Sequence, residues 1–402
     1  MSYFILFLSY VITAVLSTAQ VSQFGGPYRN QVYNETYLLD EWPENGPELV
    51  GKISGIGSGY SSPSINEKGL FVAGMLDTIG YLFHFDHAGK LIWEYEYGKE
   101  FTSRYTGSRG SPTVEKNRLY YSGTYGDAFC LDASTGEVIW KKNLLDEYGG
   151  PLVKWGYTES PLIYHDLIIL TPGGPGYNIV AFNKYSGDLV WTIDQENTFN
   201  AYCSPVIIEH GGKEIILMNT SNYLMLIEPM TGKVLYRADI SNRDNFNAIA
   251  PIYHKGKIFY SSGYGVGSKL FKINEADGTL DLIYDNPDLD CKISGMILYE
   301  GTVFGAADRK KLWVGVDFET GETLFQSRDL KPGSFLFSDD KFFIFTDMGE
   351  VALVKPHKKG FNIISRFTIP VQPASTAFAH PVLYDGKLYI RYLENIWAYR
   401  VK

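Results

Sequence analysis

The chain has 402 residues, of which 45% are hydrophobic, 15% aromatic and 20% charged, a composition that excludes disordered and collagen-like proteins. Its 36 basic and 45 acidic residues leave a net charge of −9, and basic clusters such as Arg309-Lys310-Lys311 are short and isolated. Such a chain presents no basic footprint for a phosphate backbone, so nucleic acid is not an expected partner.

At the N-terminus, Phe4 to Leu16 form an apolar run that ends in Ser17-Thr18-Ala19, a small-x-small pattern. The pattern predicts a secretory signal peptide over residues 1–19, although no Lys or Arg precedes Arg29. The alternative is an uncleaved anchor, but the apolar run falls short of the ~20 residues needed to span a bilayer. The expectation is therefore an exported protein, periplasmic or extracellular, monomeric and without membrane insertion once the signal is removed. Residues 20–46 read as a lead-in segment, and residues 47–402 as one domain.

Within that domain one unit recurs. Leu131-Asp132-Ala133-Ser134-Thr135-Gly136 followed by Glu137-Val138-Ile139-Trp140 has good copies ending in Trp93 and Trp191, and weaker copies follow. The turn glycines Gly89, Gly136, Gly187, Gly232, Gly278 and Gly321 stand 43 to 51 residues apart. A second marker opens each unit: Ser62-Pro63, Ser111-Pro112, Ser160-Pro161, Ser204-Pro205, Ala250-Pro251, Ser294-Gly295, Gly333-Ser334 and His380-Pro381. Proline is tolerated at the first residue of a strand, and Asp-x-x-Thr-Gly suits a tight turn because Gly accepts positive φ. Each unit thus reads as four short antiparallel strands. Eight such units predict an all-β, eight-bladed β-propeller, closed into a ring to remove its edges. The last unit lacks a fourth strand, and residues 47–53 are placed to supply it and latch the ring. Cys130, Cys203 and Cys291 are solitary, which signals neither a zinc site nor a disulfide framework.

The segment Leu131 to Trp140 resembles the tryptophan-docking motif of the pyrroloquinoline quinone (PQQ)-like repeat propellers, and the resemblance runs from about Trp42 to the C-terminus. That family holds quinone-dependent dehydrogenases and also non-catalytic members of the outer-membrane-assembly type. Phe24-Gly25-Gly26-Pro27-Tyr28-Arg29 and the stretch from Trp155 to Pro161 look like recurring segments of a secreted group within it. The resemblance implies that Trp93, Trp140 and Trp191 are structural, each packing on a turn glycine of the Gly89, Gly136 and Gly187 type.

Propellers bind ligands at the mouths of their central channel. Residues just before the markers converge on one mouth: Tyr60, Arg109, Glu159, Tyr202, Asn247, Lys292 and His380. Loops between second and third strands add Tyr125, Asp127, the stretch from Gly173 to Tyr177, Asn222, Tyr264, Asp308 and Arg309. Arg supplies a planar fork for carboxylates and Tyr supplies stacking area with a hydroxyl, which together suit an anionic or polyhydroxylated ligand. A dehydrogenase of this family would place PQQ beside Ca²⁺, with Glu159 and Asn247 as metal ligands, Asp244 or Asp308 as base, and Arg109 on the quinone carboxylates. The adjacent Cys pair of many such enzymes is missing, and so is a Cys-x-x-Cys-His haem motif. The bland assignment makes Glu159 a rim carboxylate paired with Arg109 or Lys292, and His380 a solvated rim residue. The reading taken is a non-catalytic binding or scaffold module for a protein, peptide or glycan, with no cofactor required. The alternative is a PQQ- and calcium-dependent alcohol or sugar dehydrogenase.

Overall fold

In the computed structural model, which describes residues 21–195, 198–370 and 376–402, the eight repeats fold into eight four-stranded antiparallel sheets. The signal peptide expected over residues 1–19 lies outside the described residues. Blades 1 to 7 occupy residues 64–99, 113–143, 162–193, 206–239, 252–286, 291–327 and 333–368. Blade 8 takes three strands from residues 382–400, and its fourth is Leu49–Ser54. That strand pairs antiparallel with Asn395–Arg400, Ile53 facing Ile396 and Lys52 facing Trp397, so the latch read from the sequence closes the ring. The buried Arg391 guanidinium reinforces the seam by donating to the carbonyls of Ser61 (2.7 Å) and Ala73 (2.6 Å) in blade 1. Among the described residues, no helix is long and apolar enough to cross a membrane.

The second and third strands of the blades bury both faces against neighbouring blades, as Leu167–Leu170 and Ile179–Asn183 do, while the outermost strands are half-exposed, so the apolar cores lie between blades and not on the channel axis. Phe71 and Leu82 of blade 1 pack with Val114 and Leu119 of blade 2, and Tyr120 and Cys130 of blade 2 with Ile168 and Val180 of blade 3. The tryptophans fasten these interfaces. Trp93, Trp140 and Trp191 lie against Gly136, Gly187 and Gly232 of the next blade, and their indole N–H groups donate at 3.0 Å to the carbonyls of Ala133, Lys184 and Pro229. A Cβ at Gly136 would sit 2.9 Å from the Trp93 ring, and φ there is +76°, so the turn needs glycine for both space and backbone. Tyr284 takes the same position against Gly321, its hydroxyl donating to the Phe318 carbonyl at 2.8 Å. Gly89 is met by Ile53 of the latch strand.

The marker serines have a structural explanation. The N–H of His380 donates to Ser62 Oγ, that of Ser62 to Ser111 Oγ, that of Ser111 to Ser160 Oγ, and that of Ser160 to Ser204 Oγ, all at 2.8–3.0 Å. This ladder runs around the channel from blade 8 to blade 4. The next marker residue is Ala250, which has no hydroxyl to extend it.

The lead-in segment enters the channel. Ser22 bridges Val114 of blade 2, and Val32 bridges Phe337 of blade 7. Between those points Arg29 and Gln31 adopt positive φ (57° and 65°) and both are buried. The segment leaves between blades 7 and 8, where Trp42 packs against Phe343 and Phe367.

Candidate functional site

The loops that enter the innermost strands leave a cavity of ≈ 390 Å³ inside the channel mouth. Two aromatic arcs form its upper part. One links Tyr60, Phe378, Tyr105 and Trp155 by ring-centroid distances of 5.2, 5.2 and 5.8 Å. The other links Tyr202, Phe246 and Tyr264 at 5.1 and 5.4 Å. Each arc carries a cation. The Arg109 guanidinium lies 4.3 Å from the Phe101 ring and donates to the Tyr105 carbonyl at 2.7 Å, while its Nε has no partner. Lys292 Nζ lies 4.4 Å over the Tyr264 ring. Below the arcs, the inner strands of blades 4 to 6 supply an aliphatic wall that includes Ile207, Ile208, Ile252 and Leu298. The opposite wall is the lead-in segment, through Phe24, Tyr28, Arg29 and Gln31.

Of the mouth residues expected from the sequence, Tyr60, Arg109, Tyr202, Lys292 and His380 line this cavity, and Tyr264 joins them from a second-to-third-strand loop. Three expectations need correction. Glu159 is buried and turns into its own blade, where its Oε1 accepts the Thr171 N–H at 2.7 Å. It makes no ion pair with Arg109 or Lys292, and its nearest counter-charge is Arg29. Burial pushes its carboxyl up to about 7, opposed by the Thr171 hydrogen bonds and by Arg29. Asn247 is fully buried and its amide is spent on the carbonyls of Thr220 and Ser221 and on the Tyr260 hydroxyl, so its oxygen does not face the mouth. His380 is not a solvated rim residue. It is 5% exposed, packs on Phe24 and donates from Nε2 to the Ile293 carbonyl at 2.9 Å, and burial pushes its pKa down to about 4.

The two aspartates named as bases also lie elsewhere. Asp244 pairs with its neighbour Arg243 at 2.9 Å, and Asp308 pairs with Lys311 at 2.8 Å beside a smaller pocket of ≈ 120 Å³. Asp127 is paired with Lys141. The sequence reading missed Arg29, Gln31 and Tyr28, because nothing in a non-repeating lead-in indicates that it threads the channel. It also missed Tyr105, Phe246 and Phe378, which stand one to four residues from positions that it did select.

Arg29 holds the lead-in in place. Its guanidinium donates to the carbonyls of Ser160 (2.5 Å) and Pro161 (2.9 Å) and to Gln23 Oε1 (3.1 Å). Burial lowers its pKa to about 10, and the buried Cys203 and Glu159 side chains act on it as nearby acidic groups without a direct hydrogen bond.

Eight four-stranded blades around a mouth-lined channel, fastened by tryptophans on turn glycines, define a PQQ-like repeat β-propeller. More particularly, the chain belongs to the family of the outer membrane protein assembly factor BamB, whose model matches residues 80–327. It is similar in fold to BamB from Moraxella catarrhalis, with a TM-score of 0.61 at 16% identity over 88% of this chain and 98% of that one. It is also similar to quinohemoprotein alcohol dehydrogenase ADHIIG from Pseudomonas putida HK5, with a TM-score of 0.60 at 11% identity over 96% and 80% of the two chains. In sequence it is 24% identical over 121 residues to the quinoprotein alcohol dehydrogenase PedH of Pseudomonas putida. That match spans 29% of this chain and 19% of PedH.

The dehydrogenase neighbours raise the question of whether a calcium-held quinone fits here. Calcium takes six to eight oxygen ligands, carboxylates foremost. Among the described residues no Asp or Glu lines the cavity, and no three His, Cys, Asp or Glu side chains cluster as a metal site requires. The donor set does not fit that metal.

Proposed function

We propose that the protein is an exported, non-catalytic binding or scaffold propeller that captures a protein, peptide or glycan group at its channel mouth. One observation carries this reading: the cavity combines two aromatic arcs and three cations, Arg29, Arg109 and Lys292, with no lining carboxylate among the described residues, an arrangement for holding an anionic or ring-bearing group and not for abstracting a proton. Membership of a family named for an assembly factor supports it by analogy, as does the fold shared with BamB. Export and a monomeric state are part of the same proposal.

The quinone- and calcium-dependent dehydrogenase reading stands second, supported by the shared fold and by Arg109, which suits a quinone carboxylate. The two are separated by titrating the purified protein with PQQ, with and without Ca²⁺, following Trp155 and the other tryptophans by fluorescence. A parallel assay follows dye reduction with alcohols and sugars. The binding reading expects no calcium-dependent saturation and no dye reduction. Saturable, calcium-dependent binding with turnover would replace it by the dehydrogenase.

A further inference from the structure

The cavity has two chemically distinct ends. At the mouth, Arg109 and Lys292 sit on aromatic faces, and among the described residues neither has a carboxylate within salt-bridge distance, the charges acting on them from farther off being Glu100 on Arg109 and Asp347 on Lys292. Deeper in the channel, Ile207, Ile208, Ile252 and Leu298 are half-buried: each packs in part against a core between blades and leaves the rest of its apolar side chain on the cavity. The asymmetry follows from the fold. The serine ladder gives the inner wall hydroxyls from blade 1 to blade 4, with Ser111, Ser160 and Ser204 on the cavity, whereas the marker of blade 5 is Ala250, which is half-buried and lines the cavity beside the aliphatic wall. A sugar would leave the aliphatic wall without a matching surface, and a small acid would leave it bare to water. An apolar surface left uncovered inside a cavity favours an apolar occupant over water.

We propose that the cavity takes an anionic amphiphile. Its ionised head, a carboxylate or group of like charge, is held at Arg109 with Lys292 adding to the positive field. Its unbranched apolar chain lies between the lead-in segment and the inner strands of blades 4 to 6. This rests on the binding-module reading and names its ligand class. A free fatty acid and an acyl chain on a partner peptide share this chemistry.

The test uses the full mature protein and isothermal titration with saturated carboxylates from butyrate to laurate. A lauroylated peptide ending in a free carboxylate is titrated alongside, together with an oligogalacturonate and a non-acylated acidic peptide. Affinity is expected to rise about fourfold per added methylene until the chamber is filled. Arg109→Ala is expected to weaken laurate by about tenfold or more while leaving dodecanol little changed. Ala250→Phe is expected to abolish the gain from chain length and leave short acids as they were. The ratio of laurate to lauroyl-peptide affinity identifies which source the site prefers. Affinity that does not depend on chain length overturns the proposal without requiring any variant to fold. If oligogalacturonate or the acidic peptide binds and laurate does not, the amphiphile is wrong and the binding module stands. Calcium-dependent PQQ turnover would remove the binding-module reading itself.

Discussion

Two buried groups on either side of the lead-in segment give opposite pH dependences, and separating them tests the electrostatics of the site. Burial raises the Glu159 carboxyl from 4.5 to about 7. Between those values the folded protein binds more protons than the unfolded chain, so this contribution is complete below pH 4.5 and is lost as pH rises through 7. A displacement of about 2.5 units amounts to about 3 kcal/mol. Burial lowers His380 from 6.5 to about 4, so its contribution is present above pH 6.5 and is lost, again by about 3 kcal/mol, as pH falls to 4. In the wild type the two slopes overlap between pH 4.5 and 6.5 and oppose each other. Glu159→Gln removes the first, and its stability relative to wild type is expected to climb by about 3 kcal/mol from pH 4.5 to pH 8. His380→Gln keeps a donor for the Ile293 carbonyl and removes the second, so its relative stability is expected to be greatest at pH 4. The assay is urea denaturation followed by tryptophan fluorescence at half-unit pH steps, with the m-value checked for constancy. Any fixed cost of the amide shifts a whole curve and leaves its slope untouched. Difference curves that stay flat within about 1 kcal/mol would show that neither group is buried as described.

Arg29→Met removes the donors to the Ser160 and Pro161 carbonyls and a positive charge that acts on Glu159. It is expected to destabilise by about 1–3 kcal/mol at pH 5 and by more at pH 8, where the Glu159 carboxyl is ionised, and denaturation at the two pH values checks this. Trp140→Phe leaves the buried Lys184 carbonyl without its 3.0 Å donor, an expected loss of about 1–3 kcal/mol. Gly187→Ala should be destabilising as well, since its Cβ would meet the Trp140 ring at 2.9 Å with φ at +76°, and thermal unfolding of the two variants tests both. The thiols of Cys130, Cys203 and Cys291 are pushed up to about 11, 12 and 12 by burial, so the native protein should not react with a disulfide reagent at pH 8, and all three should react once it is unfolded in urea.

The fold was legible because its determinants repeat. Turn glycines in six units and a strand-opening marker in all eight, Ser-Pro in four of them, give phase as well as identity, and phase is what allows Leu49–Ser54 to be recognised as the strand missing from the last blade. The same phase located the mouth, and Tyr60, Arg109, Tyr202 and Lys292 follow from it. Phase gives the height of a residue in the channel and not the direction of its side chain. Glu159 and Asn247 occupy the right loops and turn away from the mouth, Glu159 to the Thr171 N–H of its own blade and Asn247 to the Thr220 and Ser221 carbonyls of the preceding one. The marker serines illustrate the complementary limit. Their recurrence announces a strand start, but the hydrogen bond each accepts from the preceding blade is visible only once the ring is closed.

The lead-in segment explains why eight similar blades produce one lopsided site. A closed ring of equivalent repeats would leave a channel of uniform wall, with no reason for a ligand to prefer one side. Residues 22–33 break that symmetry by bridging Val114 on one flank and Phe337 on the other. They are pinned to blade 3 through Arg29, and the space they leave faces blades 4, 5 and 6. That pin rests on the Ser160 and Pro161 carbonyls, and Glu159, the residue first read as a calcium ligand, acts on it only as a nearby buried charge. The segment is held by two bridges, one arginine and a few ring contacts, and none of these has a period that a repeat search detects. The blades supply a rigid frame and the unrepeated segment supplies the site its shape, which is why the first was readable from sequence pattern and the second required the structure.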